Sequence, residues 1–229
     1  MSIRQYIGLL AGLLFGTTLC AQNSFQSGIL PAINLNRSIN ELYALNLKVE
    51  TREQFRAGFV HTDPMRMHEH LLTDFTLIGS RKVGLSEKIN LGYLLRLRQG
   101  ERIHRIIQQF SFISRLRNFN LGHRLVSDQT FAPEEPAVFR LRYRMSMELP
   151  LDGEKADPGE FYVKVNNELI QTWQRSNAPL TEYRFGPFLG YFMSNTHKVE
   201  VGLDYRNQSI LIAPTRHSYW LSLNWFFNL

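Results

Sequence analysis

Cysteine is almost absent from the sequence, with Cys20 as its single example. A fold held together by disulfide bonds is therefore excluded. Long hydrophobic runs are missing too, because no segment after the first twenty or so residues approaches the roughly 18 consecutive apolar residues of a membrane-spanning helix. If the mature chain spans a membrane, it must do so as a closed barrel of strands.

Acidic residues are outnumbered by basic ones. The 229 residues include 26 Lys and Arg against 20 Asp and Glu, which gives a formal net charge of +6. A positive excess can indicate a nucleic-acid partner, but here Lys and Arg alternate with apolar residues and do not cluster in runs. We therefore expect no nucleic-acid binding. The sequence also has no glycine-rich phosphate loop and no internal repeat, and we expect no cofactor.

The N-terminal segment predicts a secretory signal peptide over residues 1–21. Arg4 supplies its positive charge, Ile7 to Leu19 form its apolar core, and a Leu-Cys-Ala sequence at its end provides a cleavage site. A lipoprotein signal with Cys20 as the acylated residue is the alternative. The residue before such a cysteine is normally small, whereas Leu19 is bulky, so ordinary cleavage is favoured.

The clearest structural signal is the alternation of apolar and polar residues at a period of two, which predicts strands with one apolar face. The segment 139–149 has apolar residues at every second position and three arginines among the residues between them. The last segment, 215–229, alternates in the same way. A soluble sheet would bury such a face against a second layer, whereas an outer-membrane barrel turns it toward lipid and brackets it with aromatic residues.

About eleven strand-like segments follow one another along the chain, separated by short turns and longer loops. Because single-chain bacterial barrels have even strand counts, we predict an all-β, antiparallel transmembrane barrel of about ten strands, with twelve as the alternative. Residues 22–40 are then a leader and an accessory strand broken by Pro31, and residues 41–229 form the barrel. The periplasmic turns are expected at 82–87, 115–118 and 194–196, and the outer loops at 56–69, 132–136, 174–180 and 207–214.

One set of segments resembles a known family. Its parts are E-R-I-H-R-I-I-Q-Q-F-S-F (101–112), N-F-N-L-G-H-R-L-V-S-D-Q-T-F (118–131), F-R-L-R-Y-R-M-S-M-E-L-P-L (139–151) and V-G-L-D-Y-R (201–206), together with the terminal strand. These segments resemble the Bacteroidetes family known as domain of unknown function 2490. The resemblance covers roughly Ile29 to the C-terminus and implies an outer-membrane β-barrel. It brings no activity and no functional residue.

The polar faces of the strands carry many charges, which must point into the lumen because a charge facing lipid at mid-depth costs a few kcal/mol. The predicted lumen-facing residues are Arg96, Arg98, Arg124, Arg140, Arg142, Arg144, Lys164, Arg184, Lys198 and Arg206, with Glu50, Asp74, Asp128, Glu148, Glu168, Glu200 and Asp204. In a narrow barrel, such groups can neutralise one another as a ladder that fills the lumen. The basic excess supports a second interpretation, an arginine-lined lumen that favours anions.

The segment H-T-D-P-M-R-M-H-E-H (61–70) is a candidate for a metal site. His68 and His70 project to one side of an extended segment, and His61 or Asp63 would complete a ligand set for zinc or copper. The spacing is permissive, and ordinary solvated loops contain the same residue types.

A hydrolase site of the Ser–His–acid type needs a hydroxyl group within hydrogen-bond reach of an imidazole. The adjacent His217 and Ser218 face opposite sides of a strand, and no His-x-Ser pair occurs. The remaining candidates are His104, His123, Ser127 and Asp128, on neighbouring predicted strands. Because this geometry is incomplete, we predict that the chain is not an enzyme.

The sequence thus predicts an integral barrel of the bacterial outer membrane with a structural or porin-like, anion-biased small-solute role. Its expected partners are outer-membrane lipid and the barrel-assembly machinery. Two alternatives from other classes stay open. One is an outer-membrane hydrolase acting on lipid or lipopolysaccharide, and the other is a soluble periplasmic binding barrel.

Overall fold

The computed structural model describes residues 23–60, 63–115, 119–153, 156–211 and 214–229, and the predicted signal peptide lies outside these ranges. The described chain forms eleven strands. Their bounds are β1 (Ser24–Ser38), β2 (Tyr43–Phe59), β3 (Met65–Lys82), β4 (Glu87–Arg98), β5 (Glu101–Arg115), β6 (Asn120–Phe131), β7 (Val138–Pro150), β8 (Glu160–Gln174), β9 (Leu180–Ser194), β10 (His197–Asn207) and β11 (Arg216–Asn228).

The strands close into a single barrel in which each strand pairs with its neighbours in sequence. All of these pairs are antiparallel. The barrel is closed by β1 and β11, which run parallel in one continuous register from Ser24–Arg216 to Asn36–Asn228. The all-β barrel predicted from the sequence is therefore confirmed. Within the described ranges, no helix is long and apolar enough to cross a membrane.

The predicted strand count of about ten, or twelve, is wrong, because the first segment is a full wall strand and makes the number eleven. Pro31 does not exclude β1 from the wall, since its missing N–H interrupts one ladder only. The pairing of β1 with β2 omits Leu30 and Pro31, whereas the pairing with β11 continues through Pro31–Leu223. The parallel seam then allows an odd number of strands to close.

Side chains alternate between the two faces of the barrel wall, as the period of two requires. On β7, Phe139, Leu141 and Tyr143 are exposed on the outer surface, while Arg140 and Arg142 between them are partly buried inside. The largest side chains with almost no exposure include three carboxylates, Asp128, Glu168 and Glu200. The molecule is therefore apolar outside and charged inside, the reverse of a soluble protein.

The antiparallel order sorts the connections between strands into two ends. The turns at 82–87 and 194–196 lie at the same end as the C-terminal end of β11, here called the turn end. The connections 132–137, 175–179 and 208–215 lie at the opposite end, here called the loop end, whereas 151–159 lies at the turn end. This grouping follows directly from the strand order and places these connections at the ends expected from the sequence. The expected outer loop 56–69 is much shorter than predicted, because β2 continues to Phe59 and β3 begins at Met65. The expected turn 115–118 lies largely outside the described residues.

Candidate functional site

The lumen contains a cavity of about 430 Å³ whose lining is dominated by charged side chains. Eleven basic residues line it against six carboxylates. The basic residues are Lys48, Arg52, Arg96, Arg105, Arg124, Arg140, Arg142, Arg144, Lys164, Arg184 and Arg206, and the acidic ones are Glu50, Asp74, Glu168, Glu182, Glu200 and Asp204. The sequence produces this lining because alternate residues of each strand must face inward.

Asp128 on β6 is fully buried and lies among arginines from two neighbouring strands. The Nε of Arg140 donates a hydrogen bond to its Oδ1 over 2.8 Å. Arg105 approaches the same oxygen at 3.5 Å, and Arg142 approaches Oδ2 at 3.7 Å. One buried carboxylate is therefore shared by three guanidinium groups, which offset the cost of removing its charge from water.

Glu168 on β8 forms the second centre of the network. Arg142 donates to its Oε1 over 2.9 Å, and Arg144 donates to its Oε2 over 2.8 Å. Arg184 lies 3.8 Å from Oε2. Arg142 thus contacts both Asp128 and Glu168, and it joins the two centres into one network.

Glu200 on β10 forms the third centre, nearer the turn end. Its Oε1 accepts hydrogen bonds from the Tyr162 hydroxyl at 2.8 Å and from the Lys164 ammonium at 3.0 Å. Lys198 lies 3.6 Å from the same oxygen and 4.8 Å from the centre of the Tyr162 ring. Lys198 also lies 3.8 Å from Glu148.

The remaining inward carboxylates each have a basic partner on the same or the next strand. Arg96 binds Asp74 with two hydrogen bonds of 2.8 and 2.7 Å, a bidentate arrangement that fixes both groups. The other pairs are Lys48–Glu50, Arg184–Glu182 and Arg206–Asp204. Much of the lumen is therefore an ion-pair ladder.

One row of inward residues crosses five strands and is here called the arginine row. Its members are directly opposite one another in the strand registers: Arg124, Arg144, Glu168, Arg184 and Arg206. Four positive charges therefore stand in line with a single carboxylate. Because like charges directly opposite on adjacent strands repel, the Arg124–Arg144 end of the row is its least compensated part.

Arg124 makes no ion pair with a carboxylate among the residues that the structure describes. Its Nε is buried and has no hydrogen-bond partner, and the same is true of the Nε of Arg144. Buried N–H groups without acceptors are rare in folded proteins and point to a ligand, an ion or water. The two guanidinium groups are adjacent, so one acceptor can serve both.

The residues predicted to face the lumen do not all line the cavity. Arg98 lies at the loop end, where it meets Glu101 at 3.4 Å and Glu135 at 3.9 Å. Lys198 and Glu148 pair with each other outside the cavity lining. The other predicted basic residues line the cavity, and Asp128 lies behind it.

Four charged lining residues are missing from the predicted set: Lys48, Arg52, Arg105 and Glu182. Lys48 and Arg52 alternate with apolar residues on β2, and this alternation indicates that their side chains face the lumen. The sequence around Arg105 does not alternate in this way, because β5 has isoleucine on both of its faces. Ile103 and Ile107 face inward, and Ile106 faces outward.

The candidate metal ligands do not assemble as expected. His61 lies outside the described residues, and Asp63 is exposed. His68 and His70 do share the outer face of β3, but both contact Glu53 of β2, at 3.3 and 2.6 Å. No group of three or more side chains able to hold a metal ion occurs within the described ranges.

The candidate hydrolase residues are also separated. His217 faces outward and hydrogen-bonds Tyr205 over 2.9 Å, whereas Ser218 is buried inside and accepts a hydrogen bond from Gln26 over 2.9 Å. The structure therefore confirms that this adjacent His and Ser face opposite sides of the wall.

The other two histidines of that set have tyrosine partners as well. His104 bonds to Tyr93 and His123 bonds to Tyr143, all on the outer face. Asp128 lies on the opposite, inner face. No Ser–His–acid set forms from the residues that the sequence suggested.

Glu168 provides the first test of the network. Replacing Glu168 with Gln leaves Arg142, Arg144 and Arg184 with one counter-charge fewer inside the barrel, and removal of one partner from a buried ion pair typically costs about 3–5 kcal/mol. We expect a loss of that size in the free energy of unfolding, measured by urea titration in detergent micelles with heat-modifiable gel mobility as the readout.

The matched control is Glu101→Gln, which breaks an exposed ion pair at the rim and should cost less than about 1 kcal/mol. Equal unfolding midpoints for the two variants would contradict the central role of Glu168.

Residues 28–216 match the family described as "Protein of unknown function (DUF2490)". No curated protein sequence matches the chain. Among solved structures, the chain is similar to LpxR from Salmonella typhimurium, with a TM-score of 0.50 and 9% sequence identity over 97% of this chain and 95% of that one. A second match is the siderophore receptor PirA from Pseudomonas aeruginosa, with a TM-score of 0.34 and 13% identity over 82% of this chain and 34% of that one.

The likeness to LpxR concerns the fold alone, because 9% identity is too low to compare individual site residues. The family match covers most of the chain and confirms the resemblance drawn from the strand segments. The protein therefore belongs to the DUF2490 family, and its fold is a closed β-barrel similar to that of LpxR.

Proposed function

We propose that the protein is an integral barrel of the bacterial outer membrane whose arginine-rich lumen takes up small anions. The observation that carries the proposal is the sorting of its side chains, apolar outside and charged inside. Outer-membrane lipid and the barrel-assembly machinery are the partners that this location implies.

The outer face supports the membrane location. Leu77, Leu91 and Leu169, on three different strands, are exposed by 50%, 64% and 48%. Exposed large apolar side chains occur on all eleven strands. Together they give an apolar surface far larger than the patches that soluble monomers tolerate. A soluble periplasmic binding barrel is therefore disfavoured, since it would hold this surface in water.

Aromatic and histidine side chains mark both margins of the outer face. Tyr205 and His217 stack near the loop end, and Trp225 stacks on Phe227 near the turn end. Amphipathic rings at these two levels match the aromatic girdles that bracket the lipid-facing band of outer-membrane barrels.

The lumen supports the anion preference. The cavity lining has five more basic than acidic residues, and among them Arg124, opposite Arg144 in the arginine row, has no carboxylate partner among the described residues. Guanidinium groups bind oxyanions through charge-assisted hydrogen bonds, and rings of Arg favour anions in pores. The ion-pair ladder fills much of the remaining space, so the solute must be small.

Extraction of native membranes tests the location. We expect the protein to stay in the membrane pellet after washing with alkaline carbonate, because its contact with lipid is hydrophobic and not ionic. A soluble periplasmic protein in the same sample serves as the control and should appear in the supernatant. Release of the barrel with that control would overturn the membrane location.

Arg124→Gln tests the anion preference without breaking an ion pair. Inorganic phosphate at constant ionic strength should raise the unfolding midpoint of the refolded wild-type barrel, since a ligand held by the folded state stabilises it by about 2.7 kcal/mol at 100 times its dissociation constant. The variant should lose most of this stabilisation.

Arg98→Gln, at the exposed rim, is the matched control and should keep the full effect of phosphate. Equal stabilisation of Arg124→Gln and wild type would place any bound anion elsewhere and contradict the proposal.

A further inference from the structure

A β-bulge at Leu71 changes which side chains share the outer face of β3. The pairing of β2 with β3 passes from Arg52–Leu72 to Glu53–His70, so Leu71 has no cross-strand partner on β2. In a regular strand, residues three apart face opposite sides. The bulge reverses this parity and brings His70 and Thr73 together on the outer face, which the alternation of the sequence could not reveal.

The two side chains meet in a chain of three groups with Glu53. The Nδ1 of His70 lies 2.6 Å from Oε1 of Glu53, and its Nε2 lies 3.2 Å from Oγ1 of Thr73. A hydrogen on Nδ1 donates to the carboxylate and leaves Nε2 free to accept the threonine proton. His68 lies 3.3 Å from the other oxygen of Glu53, and its ring stacks on Phe55.

This arrangement sets His70 apart from the other described histidines. His217 contacts Thr215 at 3.0 Å, but its orienting partner is the Tyr205 hydroxyl and not a carboxylate. A hydroxyl, an imidazole and an acid in a line are the elements of a nucleophile, a general base and its orienting group.

We propose that Thr73, His70 and Glu53 form a catalytic site that hydrolyses acyl esters at the outer surface of the barrel. The Thr73 oxygen attacks the ester carbonyl while His70 Nε2 takes its proton, and Glu53 stabilises the imidazolium. The intermediate collapses as the ester C–O bond breaks and His70 gives the proton to the leaving alcohol. Water then attacks the acyl-threonine, losing a proton to His70, which returns it to the Thr73 oxygen as the carboxylic acid leaves.

The edge of β3 beside these residues can supply donors for the oxyanion. The pairing of β3 with β4 begins at Thr73–Leu97, so the β3 backbone before Thr73 has no strand partner on that side. We assign the stabilisation of the tetrahedral oxyanion to backbone N–H groups of this edge.

The surroundings of the site indicate an ester with a long acyl chain. Thr73 stands directly opposite Thr51, and Thr51 lines an apolar groove of about 360 Å³ on the outer surface. Ile33, Val49 and Trp225 also line this groove. A groove with this lining suits a hydrocarbon chain better than a polar substrate. The assignment to lipid substrates rests on the proposed membrane location.

Hydrolysis of p-nitrophenyl laurate by the refolded full chain in detergent micelles tests the site. Thr73→Val removes the nucleophile but keeps a β-branched side chain, and we expect it to lower kcat at least about 100-fold. His70→Gln should cause a loss of the same order. Thr215→Val is the matched control and should retain the wild-type rate, and intact-mass measurement should detect a lauroyl adduct on the wild type that Thr73→Val lacks.

A further variant tests the role of the groove in binding the acyl chain. Val49→Trp fills it and should slow the laurate ester while leaving p-nitrophenyl butyrate unaffected. Loss in Thr215→Val equal to that in Thr73→Val, or abolition of the wild-type activity by a chelator, would overturn the assignment of Thr73 as nucleophile. Equal slowing of both esters by Val49→Trp would overturn the lipid assignment.

The two proposals fail in different ways. A barrel that stays in the carbonate-washed membrane, shows heat-modifiable mobility and cleaves neither ester overturns the catalytic site and leaves the location intact. A barrel that carbonate releases but that cleaves the esters through Thr73 overturns the location and leaves the catalysis intact.

Discussion

The structure depends on one constraint: a closed sheet sends every second side chain into a narrow interior, and a charge there needs a partner. Glu168 is the clearest example, because its carboxylate is the ion-pair partner of three arginines from β7 and β9. Asp128 does the same nearer β5, and Arg142 connects the two centres. The charges that are absent from the apolar outer face thus become the packing of the lumen.

The same constraint explains why basic and acidic side chains in the lumen are not matched one to one. Each strand register fixes which inward residues stand opposite one another, and the row that begins at Arg124 and Arg144 contains four arginines for one carboxylate. Arg144, Arg184 and Arg206 have carboxylate partners, so Arg124 is the member of the row that the proposed anion would compensate. The outer face has an exception at the Leu71 bulge. There the irregular pairing of β2 and β3 brings Glu53, His70 and Thr73 together on an otherwise apolar surface.

The alternation of apolar and polar residues predicted the faces of the regular strands. It did not predict features that depend on a departure from that alternation. The faces of β7 could be assigned because its arginines and apolar residues separate cleanly. Arg105 could not, because β5 is apolar on both faces. Pro31 suggested an accessory strand, but the missing donor interrupts one ladder and leaves the parallel seam intact. The association of His70 with Thr73 depends on one unpaired residue, which a single sequence does not reveal.

Two neighbouring residues on β7 test whether the barrel wall separates lipid from a polar lumen. Nitroxide spin labels are attached to single cysteines introduced in a Cys20→Ser background. One variant carries the label in place of Met145, which faces outward, and the other in place of Ser146, which faces inward and hydrogen-bonds Asn166. In reconstituted vesicles, we expect frequent collision of lipid-soluble oxygen with the label at position 145 and little collision with the label at position 146. Equal accessibility at the two positions, or the reverse order, would contradict it.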